Sequence, residues 1–104
     1  MAKKALPSLQ ASDAFIITTS DNGSILDDPA NATNQYAFCY PHNYGTSGLV
    51  YVTPVDAPDL TSTYKVPIYL AQGQTSDLMV KKIWSTGLGS GVTLIAKVGR
   101  GGMF

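Results

Sequence analysis

Gly48-Leu49-Val50-Tyr51-Val52-Thr53, closed by Pro54, is the stretch on which the fold turns. It is rich in β-branched and aromatic residues, which fit the pleated surface of a sheet, and too short for a buried helix. Tyr64 to Ala71 downstream alternates in the same way, but Pro67 removes a ladder donor and assigns that strand to a sheet edge or a bulge. Between the two, residues 54–63 carry Pro54 and Pro58 and read as a surface loop. Two further strands follow over 77–84 and 92–98, joined by Thr86-Gly87-Leu88-Gly89-Ser90-Gly91 as a hairpin turn, with Gln72 to Ser76 as the turn before them.

Upstream, residues 14–20 are β-branched and aromatic, and Asp21-Asn22-Gly23 gives a strong short hairpin signal, with 24–26 as the return strand. Asp27 to Asn34 is built of turn formers. Residues 35–40 form another expected strand, with Tyr36, Phe38 and Tyr40 on one face, and Pro41 to Ser47 a loop. The sum is an all-β domain, a small antiparallel β-sandwich or barrel of about seven short strands. The domain covers residues 13–98, after an extended N-terminal arm over 1–12 and before a glycine-rich tail over 99–104. The arm and tail lack the periodic apolar face needed to fold back on the domain, so Leu6, Leu9, Met103 and Phe104 are expected to fill pockets on adjoining chains.

With 104 residues the chain has one thin core, and seven basic residues balance seven acidic ones. All seven acids are Asp, and only 13% of residues are charged, against about 25% in typical domains. Low charge and zero net charge favour association and argue against a nucleic-acid binder, which needs a basic stripe. No apolar run has the length of a signal peptide or a membrane span, so the expected product is made in a cytoplasm and stays soluble, without a membrane role. Cys39 is the lone cysteine, which excludes an internal disulfide.

Cys39 and His42 stand at the spacing of half a zinc site, with no second Cys or His to complete it, so neither metal nor cofactor is expected. His42, Ser47 and Asp56 can be drawn as a triad, but no nucleophile elbow accompanies them, and the chain reads as no enzyme. Gly87 to Gly91 is followed by a strand, unlike a dinucleotide loop, which precedes a helix. Asn22-Gly23-Ser24 and Asn31-Ala32-Thr33 fit the glycosylation pattern and read as loop chemistry. The aromatic segment holding Tyr40, His42 and Tyr44 reads as contact surface, since tyrosine combines area, rigidity and a polar tip. Lys81 and Lys82, adjacent in a strand, point to opposite faces, so either one face is exposed with a bulge or both faces there meet polar surroundings, as at a subunit contact.

Val52-Thr53-Pro54-Val55-Asp56-Ala57-Pro58-Asp59-Leu60, then Ile68-Tyr69-Leu70, then Val80-Lys81-Lys82-Ile83-Trp84-Ser85-Thr86-Gly87 and Val92 to Ala96 form a series of motifs. It resembles small β-rich virion surface proteins of tailed phages and gene transfer agents, of the spike-base and capsid decoration or cement type. Those open with V-T-P-x-D-x-x-D-L and continue through V-K-R-[IV]-x-A-T-G. The likeness spans residues from about 50 to 98. Here the segment between Leu70 and Leu78 is shorter than in spike-base proteins, and the first 47 residues have no counterpart. The resemblance implies a non-enzymatic virion protein that binds the major capsid protein or other virion subunits. It also implies a homo-oligomer, a trimer or ring. A tail or neck component is the alternative, and a small hydrolase a more distant one.

Overall fold

The structure, a computed structural model, describes residues 13–98 and is all-β there. Six strands lie in two antiparallel sheets. β1 (Asp13–Ile16), β6 (Leu94–Val98) and β2 (Tyr40–Asn43) form the first, with β6 central. β4 (Val66–Leu70), β3 (Gly48–Pro54) and β5 (Val80–Ile83) form the second, with β3 central. The sheets do not close into a barrel.

Alternation decides which side of each strand is buried. On β6, Leu94, Ala96 and Val98 face inward while Ile95 and Lys97 face out. On β3, Val50 and Val52 are fully buried. These side chains meet Ile25, Cys39, Leu70, Val80, Ile83 and Val92 in one core. Pro67 falls on β4, a sheet edge, as its missing N–H requires. A register shift between Thr53 and Pro54 bends the end of β3.

The 14–20/24–26 hairpin does not form. β1 ends at Ile16 and pairs with β6 from the far end of the chain, and Ile25–Asp27 is a 3-10 turn. Capping chemistry outcompetes the two-residue turn here. Ser24 Oγ accepts from the Leu26 N–H at 3.2 Å, and Asp27 accepts from the Ser24 N–H at 2.9 Å. Asp28 then caps a second 3-10 turn, Pro29–Asn31, and its other carboxylate oxygen accepts from the Thr18 N–H at 2.7 Å, beyond the end of β1. Gly23 has no positive φ; it is needed because a Cβ there would lie 2.8 Å from Asp27 Oδ2.

Residues 35–40 are not a strand either, so Tyr36, Phe38 and Tyr40 do not share a face. Buried Asn31 takes the Tyr36 N–H on its Oδ1 and donates to the Tyr36 and Ile25 carbonyls, while Gln35 adopts φ +57°. Those two features break the extended run. The strand instead starts at Tyr40 and passes through Pro41, whose carbonyl accepts from the Ser76 N–H at 2.8 Å. The loop expected over 41–47 is thereby half strand. Nor is 86–91 a hairpin turn, because β5 and β6 lie in different sheets and the segment crosses between them. Seven expected strands become six.

Candidate functional site

The outer face of the β1-β6-β2 sheet gathers the described part of the expected contact surface. Strand register sets Ala14, Lys97 and Tyr40 in one row and Ile16, Ile95 and His42 in the next. Ile16 is 63% exposed, Tyr40 and His42 are half-buried, and Tyr44 just beyond β2 is exposed. Tyr44 is held by its main-chain N–H on the Thr93 carbonyl, which leaves its ring free to project. The result is a face of mixed apolar and aromatic character carrying one cation, Lys97.

Asp13 and Val98 are register partners on β1 and β6. The chain therefore enters the described domain and leaves it at the same corner of this sheet. Leu6, Leu9, Met103 and Phe104 lie outside the described residues.

Among the described residues, no three His, Cys, Asp or Glu side chains come together as a metal site. Cys39 is 1% exposed and its thiol is pushed up to about 12 by burial, with Asp28 adding to the effect, so the protonated thiol is the favoured form at pH 7. His42 Nδ1 lies 2.7 Å from Thr75 Oγ1, while Ser47 Oγ accepts from the Gln72 N–H; no hydrogen bond joins His42 to Ser47 or Asp56. Burial, helped by Lys97, lowers the His42 pKa, so the ring is neutral at pH 7. A cleft of about 280 Å³ beside Thr18, Ser24, Asp28 and Ile83 has its carboxylates already engaged by main-chain N–H groups.

The motifs that carried the resemblance converge on one another, which their sequence did not disclose. Lys81 Nζ donates to the Ala57 carbonyl, and Lys82 Nζ donates to the carbonyls of Leu60 at 3.2 Å and Asp21 at 2.8 Å. Thr53 opposes Lys82 across the sheet and accepts from Trp84 Nε1 at 3.0 Å. The Lys82 ammonium sits 3.5 Å from the centre of the Trp84 ring, and Lys65 lies about 5 Å from the Trp84 and Tyr51 rings. Lys82 is only 3% exposed, which does not fit an exposed face at this position: a lysine at this depth is enclosed by carbonyls and a ring. Asp21 closes the cluster, its carboxylate accepting from the N–H and hydroxyl groups of both Ser85 and Thr86.

This cluster fixes the 54–61 loop and the 18–23 segment against the end of β5. It is a clamp. The signal for it was Lys82 at an inward-facing strand position next to a tryptophan. The chain matches no known protein family, no curated protein and no solved structure at a significant level.

Proposed function

We propose that this chain is a non-enzymatic structural subunit of a phage-type virion, a capsid decoration, cement or head spike-base protein that binds the capsid shell. The observation that carries the reading is the pairing of Asp13 with Val98. It puts the first and last described residues at one corner of a small domain, in the same sheet as a face bearing Ile16, Tyr40, His42 and Tyr44. A cement subunit would meet its neighbours through that corner and that face. The partners in this reading are the major capsid protein or another virion subunit, and further copies of the chain in a trimer or ring. Burying one apolar side chain of the arm or tail contributes about 1.5–3 kcal/mol, a gain that symmetric copies multiply across a shell.

The test pairs two measurements on chains lacking residues 1–10 or 100–104. The truncated domains are expected to melt within a few degrees of the full chain, and to occupy phage-type particles assembled without the protein less fully than the full chain does. If truncation unfolds the domain, or the truncated chain decorates particles normally, the cement reading fails.

A further inference from the structure

The Asn22-Gly23 pair turns no hairpin, and the structure leaves its chemistry open. The chain holds four asparagines, Asn22, Asn31, Asn34 and Asn43, in very different settings. Asn31 and Asn43 are fully buried, with both ends of each amide hydrogen-bonded. Asn34 donates to the Asp13 carboxylate at 3.4 Å and is followed by Gln35, whose main-chain N–H is engaged on the Asn31 carbonyl at 2.8 Å. Asn22 alone is exposed with a side-chain amide that makes no hydrogen bond among the described residues. The next main-chain N–H, that of Gly23, makes none either, and Gly23 has no side chain to shield it.

We propose that Asn22-Gly23 is a self-modification site, where Asn22 deamidates to aspartate and isoaspartate and thereby loosens the corner that the Asp21 carboxylate holds. The Gly23 nitrogen attacks the Asn22 side-chain carbonyl carbon. A C–N bond forms, the nitrogen loses its proton to water, and the side-chain nitrogen leaves as ammonia, giving a five-membered succinimide. Water then opens the ring at either carbonyl. One opening yields aspartate; the other routes the main chain through the former side chain as isoaspartate. The net change is amide plus water to carboxylate plus ammonium, with no oxidant or co-reactant.

The position makes the reaction consequential. Upstream, Asp21 is fixed by Ser85 and Thr86 through its carboxylate and by Lys82 through its carbonyl. Downstream, Ser24 and Asp27 are fixed on each other. Asn22 and Gly23 are the whole span between these two anchors, so there is little slack to absorb the extra main-chain methylene of an isoaspartate. The new carboxylate also lands between Asp21 and Asp27, and like charges this close disfavour the folded arrangement.

The experiment ages the folded full-length chain at mildly alkaline pH and follows it by peptide mass mapping, isoaspartyl-methyltransferase labelling and thermal melting. The expected result is a gain of one mass unit confined to the peptide holding Asn22, an isoaspartyl label there, and a lower Tm for the modified fraction. Asn22→Gln, a change at an exposed side chain, is expected to abolish the gain and the label while melting like the fresh protein. The proposal is overturned if the gain appears at Asn22 only after unfolding in urea, or appears as fast at Asn34. A modified fraction that melts with the unmodified one overturns the loosening.

Discussion

Lys82 reaches from β5 to two carbonyls on different segments and lies against the face of Trp84, so one ammonium replaces its lost water with three partners. Burial lowers its pKa, with Asp21 nearby opposing the shift. Removing the charge strands the Asp21 and Leu60 carbonyls. Lys82→Met is therefore expected to cost about 2–3 kcal/mol in urea unfolding, the range for hydrogen bonds to a charged group, against less than about 1 kcal/mol for half-exposed Lys81→Met. Equal costs would show that the clamp does not stabilise the fold. Asp21 offers a second check at this scale. Hydrogen bonds from Thr86 and Ser85 hold its pKa at about 2, below the ordinary 3.8. The ionised carboxylate is the favoured form in the folded state, so its contribution is present above pH 3.8 and is lost as pH falls toward 2. Asp21→Asn is expected to lower Tm at pH 7, with the gap to the wild type closing through that acid window. A gap that stays constant down to pH 2 would assign the loss to shape instead of charge.

The elements are joined by connections whose demands on the backbone can be separated. Gly87 and Gly73 both sit at positive φ, +91° and +82°, but only Gly87 faces an obstacle, since a Cβ there would lie 2.6 Å from the Tyr51 ring. Gly73→Ala is expected to cost about 1 kcal/mol, the left-handed backbone penalty alone. Gly87→Ala adds a clash with the ring and is expected to cost about 2–3 kcal/mol in the same chemical denaturation, conformational strain plus overpacking. Equal losses would remove the Tyr51 contact as a determinant of the sheet-crossing connection. The same contrast explains what was legible beforehand. β3, β4 and β6 were readable because period-two burial writes itself into Val50, Val52, Leu94, Ala96 and Val98. Pro67 announced its edge. The region from 17 to 43 was not readable, because its conformation is set by side chains that serve main-chain groups far away: Asp28 on Thr18, Asn31 on Tyr36, Asp21 on Thr86. Such bonds have no period. Of the expected contact residues, Tyr40, His42 and Tyr44 do fall on or beside one sheet face, though as a strand and its end instead of a loop. The lysine clamp was hidden for the opposite reason, since a charged residue at an inward position looks like a patterning error until its carbonyl partners are in place.

The two sheets could unfold separately if only the apolar core joined them, but β2 welds them together. Its inner flank meets β6, while its other flank is paired along the 73–80 segment that leads from β4 to β5. Cys39 and Val80 exchange both main-chain bonds at 2.9 Å, Ser76 N–H donates to Pro41, and Asn43 pairs with Gly73 and Gln74. The buried Asn43 side chain adds donations to the carbonyls of Thr46 and Leu70, the latter at the end of β4 in the other sheet. Its Oδ1 also accepts from the Gly45 N–H. Unfolding of either sheet must therefore break the seam, and the domain is expected to unfold in one step. Trp84 reports the β4-β3-β5 sheet by fluorescence and far-UV circular dichroism reports both sheets, so the two transitions should coincide. Asn43→Ala removes the amide donations to the carbonyls of buried Leu70 and exposed Thr46 and takes the acceptor from the Gly45 N–H. It should lower stability by about 1–3 kcal/mol, the cost of an unsatisfied buried group, and shift both signals together. If the variant instead splits them, with Trp84 fluorescence changing at a different urea concentration from the circular dichroism, each sheet is a folding unit of its own. The rigid single body required for a cement subunit would then have to come from its neighbours.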